Sequence, residues 1–246
     1  MTVTISHGQR RLDSAERLAA EYLRLRGFQD VLYEPDGNVP PDFLLNNRIA
    51  VEVRQLNQNQ VTPSGYSGLD ELAIPLSMRI KKLLASLGPS KSGVSWFVHY
   101  KFSRPLLPWD KLQGILRKQL AFFQGSQPGQ NWFKIVIDDN FQLDLIRATD
   151  IHSSFFVLGG YCDHDSGGWV FTETQKNLRI CINEKTQKIV RVRMKYNEWW
   201  LLLIDFIGYG VDECDRNLFR DHLAIKHQWD KIILLNPLDL QSAFEF

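Results

Sequence analysis

The residues of this chain best suited to chemistry lie close together, in the run Pro41-Asp42-Phe43-Leu44-Leu45-Asn46-Asn47-Arg48-Ile49-Ala50-Val51-Glu52-Val53-Arg54. Side chains on a β-strand alternate between its two faces. Phe43 and Leu45 then share one face of a first strand, and Ile49, Val51 and Val53 share one face of a second. All of these are apolar, so that face is read as core, and Asp42, Glu52 and Arg54 point the other way. With a loop over residues 46–48, Leu45 opposes Ile49 and Asp42 opposes Glu52. A shorter loop sets Asp42 against Val51 and apolar side chains against the acids, so the pattern favours the longer one. Opposed residues have Cβ atoms about 4.5–5.5 Å apart. Two carboxylates that close repel unless a cation sits between them. The guanidinium of Arg54 serves partly, and a divalent metal serves better. An ion held this way lowers the pKa of a bound water and screens a phosphate. Mg²⁺ needs only one or two protein carboxylates, because it keeps several of its waters. The chemistry that suits such a set is that of a carboxylate-held divalent ion and the water it activates.

The elements that must position these side chains follow from periodicity. Residues 14–26 read as an amphipathic helix, with Leu18, Tyr22 and Leu25 on one face and Ala15 and Ala19 alongside. Ser14 is the expected N-cap, and Gly27 ends the helix. A polar, proline-containing turn over 34–42 leads into the hairpin, and 57–69, rich in Gln, Asn, Ser and Gly, reads as a loop. Residues 70–87 read as a helix with Pro75 near its first turn, 94–102 as a strand, 109–123 as a helix and 132–138 as a strand. A second hairpin is expected over 155–172, turning at 163–168. Residues 178–195 favour a helix on the spacing of Leu178, Cys181, Ile182, Ile189 and Val192, with a hairpin broken at 185–188 as the competing reading. The continuous apolar run 199–206 reads as a strand buried on both faces, 215–226 as a weak helix and 231–235 as a last strand. Strands alternating with helices predict a single α/β domain, of mixed α+β type, over 1–246.

The segment 41–54 resembles the PD-(D/E)XK nuclease superfamily, the restriction-endonuclease-like fold. Pro41-Asp42 looks like the first half of its motif and Glu52-Val53-Arg54 like the E-x-K half. Glu16, on the preceding helix, sits where many members carry a further acid, and Glu21 is a second candidate for that place. The resemblance covers residues 14–56. It implies a central mixed sheet flanked by helices and metal-dependent hydrolysis of phosphodiester bonds, usually in DNA. Asp42 and Glu52 would hold Mg²⁺ or Mn²⁺, Arg54 would contact the scissile phosphate, and Glu16 would orient a metal-bound water or a second metal. Many relatives cut as dimers, so a homodimer is among the expectations. The chain departs from the family at Arg54, which stands where Lys is usual. Arg keeps the charge and binds phosphate bidentately, but it does not readily give up a proton. A Lys supplied from elsewhere would restore that capacity, and Lys81 or Lys82 on the next helix are candidates. The alternative is a catalytically degenerate module of the same fold, kept for nucleic-acid binding or protein interaction.

The remaining features are weaker. Lys185, Lys188 and Arg191 fall near one helical face and, with Lys81 and Lys82, form an expected phosphate-contact set. The net charge is only +1, so no global basic field advertises nucleic acid. Cys162, Cys181 and Cys214 are widely spaced and offer no disulfide framework, which suits a reducing compartment. The N-terminus carries no apolar leader, and the longest apolar run, 199–204, falls far short of the ~20 residues of a membrane span. A cytoplasmic protein is the expectation. Cys162-Asp163-His164-Asp165 reads as a polar turn, His222 and His227 as structural or surface residues, and Trp199-Trp200 as core.

Overall fold

The computed structural model describes residues 11–63, 65–90, 93–126, 129–210, 216, 217, 219, 225 and 227–245. The chain is mixed α and β and falls into two compact units, one formed by 1–66 with 168–246 and the other by 67–167. The second unit is a contiguous insertion into the first.

Unit 1 is built on a six-stranded mixed sheet. Its strands are β1 (Val31–Tyr33), β2 (Phe43–Leu45), β3 (Ile49–Leu56), β10 (Glu198–Asp205), β11 (Lys231–Asn236) and β12 (Asp239–Glu245), which lie side by side in that order. Helix α1 (Ser14–Leu25) packs on one face and α4 (Val170–Ile189) on the other. Strand parity explains both layers. Val51, Val53, Trp200, Leu202 and Ile204 join the α1 core, whereas Ala50, Leu56, Trp199, Leu201 and Leu203 join the α4 core. The run 199–206 is thus buried on both faces, between β3 and β11, with both of which β10 runs parallel. The β2–β3 hairpin has the expected register, Leu45 against Ile49 and Phe43 against Val51. Its loop turns on Asn46 and Asn47, both at positive φ, a conformation Asn tolerates better than most residues.

Several expectations need correction. The N-cap of α1 is Asp13, one residue earlier than Ser14, in a reciprocal capping box with Glu16. Residues 57–69 are not simply a loop but carry a small hairpin, β4 (Asn59–Thr62) and β5 (Gly65–Gly68), whose polar side chains gave no alternating pattern. No second hairpin forms over 155–172. β9 (Phe156–Asp163) pairs parallel to β6 (Trp96–Phe102), and α4 begins at Val170. That pairing joins segments far apart in the chain, which local pattern does not register. The helix expected over 178–195 starts earlier and stops at Ile189, followed by a 3₁₀ turn over Arg193–Lys195. The proposed helix over 215–226, with Cys214 and His222, lies largely outside the described residues.

Unit 2 holds α2 (Asp70–Ala85), α3 (Trp109–Ser126), β7 (Trp132–Asp138) and β8 (Phe141–Arg147) with β6 and β9. Its sheet order is β7-β8-β6-β9, and both helices share a core with one face of it. Asp163 and Asp165 clasp Arg104 here, at 2.7 and 3.0 Å, so the Cys162–Asp165 stretch is a structural clamp. Among the described residues no helix is long and apolar enough to cross a membrane.

Candidate functional site

The acidic pair is assembled by unit 1 alone. Asp42 immediately precedes β2, and its Oδ2 accepts a hydrogen bond from the Val53 backbone N–H at 2.7 Å. That bond clips the start of β2 to β3 and fixes the carboxylate beside Glu52. Glu52, in the middle of β3, points to the α4 side of the sheet and is fully buried. A carboxylate placed there needs a partner, because burying an unpaired charge is very costly. The partner comes from α4: Lys185 Nζ lies 2.6 Å from Glu52 Oε2 and 3.4 Å from Asp42 Oδ2. Lys188, one turn on, adds a longer contact of 3.4 Å to Glu52 Oε2 and keeps about half its side chain in solvent (47 %). One ammonium therefore bridges both carboxylates, the position a cation between opposed acids should take.

Electrostatics follow from this burial. Loss of water pushes the Glu52 carboxyl above its ordinary range, and the charge of Asp42 adds to the push, while Lys185 and Lys188 pull the other way. For Lys185, burial works against the charge, but attraction to Glu52 and Asp42 wins and holds the ammonium protonated above the ordinary lysine range. Among the described residues Glu52 Oε1 has no hydrogen-bond partner, so half of this buried carboxylate's accepting capacity is unspent.

A cavity of about 200 Å³ opens beside the pair, lined by Glu16, Asp42, Arg54, Lys185 and Lys188 among others. Glu16 reaches it from α1. Its Oε2 accepts from the Asp13 N–H at 2.7 Å and from the Tyr33 hydroxyl at 3.1 Å. Burial raises the Glu16 carboxyl above its usual range, and the charges of Asp13 and Asp42 add to that. Glu16 is therefore a helix-capping residue that also walls the acid cavity. Glu21 is exposed and lines no part of it. Arg54 lines the cavity too, but its guanidinium pairs with Glu184 of α4 at 2.7 Å.

The structure thus brings together Asp42, Glu52, Glu16, Arg54, Lys185 and Lys188. It does not add the other expected cations. Lys81 and Lys82 are exposed on α2 in unit 2, and Arg191 is exposed beyond the end of α4. Glu184 and Tyr33 belong to the site although nothing in the motif pointed to them. The burial of Lys185 had a legible signal. It lies among Leu178, Cys181, Ile182 and Ile189 on the buried stripe of α4, where a lysine demands a buried anion. Among the described residues no group of three or more His, Cys, Asp or Glu side chains is arranged to hold a metal ion.

No family model, curated protein or solved structure matches the chain. The functional reading therefore rests on the site itself.

Proposed function

We propose that the chain is a metal-dependent nuclease that hydrolyses phosphodiester bonds, with DNA as substrate, using a site of the PD-(D/E)XK kind. The observation that carries this reading is the meeting of Lys185 with Asp42 and Glu52, 143 and 133 positions away in the chain, beside a small cavity that Asp42 and Lys185 line. A buried ionic cluster is a poor source of stability, since apolar side chains of similar size usually serve the fold as well or better. Its presence is better explained by chemistry.

Asp42 and Glu52 fit a divalent ion. Glu52 Oε1 has lone pairs that no donor among the described residues uses, and an ion such as Mg²⁺ or Mn²⁺ needs only these two carboxylates if water and substrate oxygens complete its shell. When bound, the ion supplies an activated water and neutralises charge on the phosphate. The chain's own residues do the rest. Lys185 supplies the cation that Arg54 was expected to provide and stabilises negative charge at the acid pair. Lys188, half in solvent, is placed to meet an arriving phosphate oxygen. Glu16 orients water at the cavity wall. Arg54, committed to Glu184, holds β3 to α4.

One observation favours the degenerate module as a second reading: Lys185 already bridges the acid pair, and Arg54 is occupied by Glu184. Thermal unfolding and DNA cleavage with Mg²⁺ or Mn²⁺ separate the two. For the nuclease, either ion raises the midpoint of the wild type, by about 2.7 kcal/mol of stability at ~100 times the dissociation constant. Asp42→Asn and Glu52→Gln lose both the shift and the cleavage. A wild type that neither responds to the ions nor cuts DNA makes the binding module the better conclusion.

A further inference from the structure

A second concavity lies along α4 in the same unit. It is a groove of about 850 Å³ between that helix and the β4–β5 hairpin, lined by Val61, Tyr66, Lys176, Arg179, Asn183 and Glu184 among others. Its position is fixed from below: the Asn177 side-chain oxygen, buried on α4, accepts from both the backbone N–H and the side-chain amide of Asn59 on β4, at 2.9 and 3.0 Å. The hairpin is thereby tied to the helix, and the groove is a built feature of the unit. Val61 and Tyr66 stand exposed on one wall, at 79 % and 48 %. Lys176 and Arg179 are exposed on α4 on the other. The groove adjoins the acid cavity, because Glu184 lines the first and its ion-pair partner Arg54 lines the second.

We infer that this groove binds a single-stranded stretch of nucleic acid next to the phosphate to be cut. The inference rests on the nuclease reading for its link to the acid site. The argument is one of chemistry. An aromatic side chain beside cations and side-chain amides is the combination that takes up unpaired bases: the ring stacks on a base, and Lys and Arg follow the backbone. In a duplex the base faces are hidden in the stack, so Tyr66 would have nothing to stack on. Asn183 offers donor and acceptor to a base edge. A strand lying along α4 would run from Lys176 and Arg179 toward Glu184 and so toward Lys188 and the acid pair.

The test is binding of a fluorescently labelled single-stranded oligodeoxynucleotide by anisotropy, in chelator so that cutting plays no part, with the same sequence as a duplex for comparison. Wild type is expected to bind the single strand more tightly than the duplex. Lys176→Ala with Arg179→Ala is expected to flatten the dependence of log affinity on log salt by about 1.4, since each phosphate contact contributes ~0.7 on single strands. Tyr66→Ala is expected to weaken binding roughly tenfold with the salt slope unchanged. All three positions are exposed, and unchanged thermal midpoints check that the variants fold. Absence of single-strand binding, a duplex bound equally well, or variants that bind like the wild type would each overturn the inference. Failure of the nuclease reading looks different: the groove binds as expected, but the wild type does not cut DNA with Mg²⁺ or Mn²⁺.

Discussion

Lys185 occupies a position that periodicity assigns to the core, and its free energy depends on what faces it. Breaking a buried pair by removing one partner costs about 3–5 kcal/mol, because the other charge is left behind. Lys188 remains near Glu52 Oε2, so Lys185→Met should fall at the low end, about 3 kcal/mol in urea unfolding. Adding Glu52→Gln to Lys185→Met should restore much of that loss, since the stranded charge is gone. The pH dependence has a definite sign. The folded state holds Lys185 protonated above the ordinary lysine value of 10.5, so its contribution is fully present at neutral pH and is lost as pH rises through the raised folded value. The wild type should therefore show an alkaline fall in stability that Lys185→Met lacks. A Lys185→Met protein as stable as wild type, with the same alkaline limb, would mean that the ammonium is not engaged as described. Part of this was legible in the sequence. The polarity of Asp42 and Glu52 followed from strand parity alone. The pairing of Lys185 with Glu52 did not, because it depends on how α4 crosses the sheet, and the same lysine served equally well as a solvated cation beside Lys188 and Arg191.

At the scale of elements, the β2–β3 hairpin is held to its register by side chains as well as by the ladder. The Asp42 carboxylate takes the Val53 N–H at 2.7 Å, one residue along β3 from Glu52. Asp42→Ala leaves that donor without its partner and should cost about 1–3 kcal/mol. Asp42→Asn keeps an acceptor oxygen in place and should cost distinctly less. The pair is best read by urea midpoints at neutral pH, and equal losses would show that the bond does not contribute to the hairpin. The contrast also decides which variant is useful chemically: asparagine removes the charge and spares the strand. Elements with strong local patterns were the ones the sequence revealed. The hairpin alternates cleanly, and 199–206 is apolar throughout. β1 is too short to show a period, and β4 and β5 consist largely of polar residues and glycine that no burial pattern marks. The parallel β6–β9 pair needs a partner from elsewhere in the chain, so 155–172 looked self-sufficient when it was not.

For the whole molecule, the division of the cores matters more than the count of elements. Among the described residues, the α1 and α4 cores draw on 11–63 and 168–245 alone, and the third core on 67–167 alone. The third core includes Ile80, Leu83, Trp96, Tyr100, Phe102, Leu116, Phe141 and Phe156, supplied by two helices and a four-stranded sheet within one continuous stretch. A segment of that size with its own closed core meets the physical requirement for folding alone. The isolated fragment 67–167 should therefore give mixed α and β circular dichroism and a single cooperative thermal transition. The acid pair, both lysines that reach it and the groove along α4 belong to the other unit, so the fragment should show no midpoint shift with Mg²⁺ or Mn²⁺ even where the full chain does. A fragment that stays unfolded would show that the third core needs the rest of the chain. A folded fragment that responds to the ions as the full chain does would move the metal response away from Asp42 and Glu52. The near-neutral net charge of +1 is consistent with this arrangement. The cations that matter are local, set on one helix beside the acids, and a charge total over the whole chain averages them away.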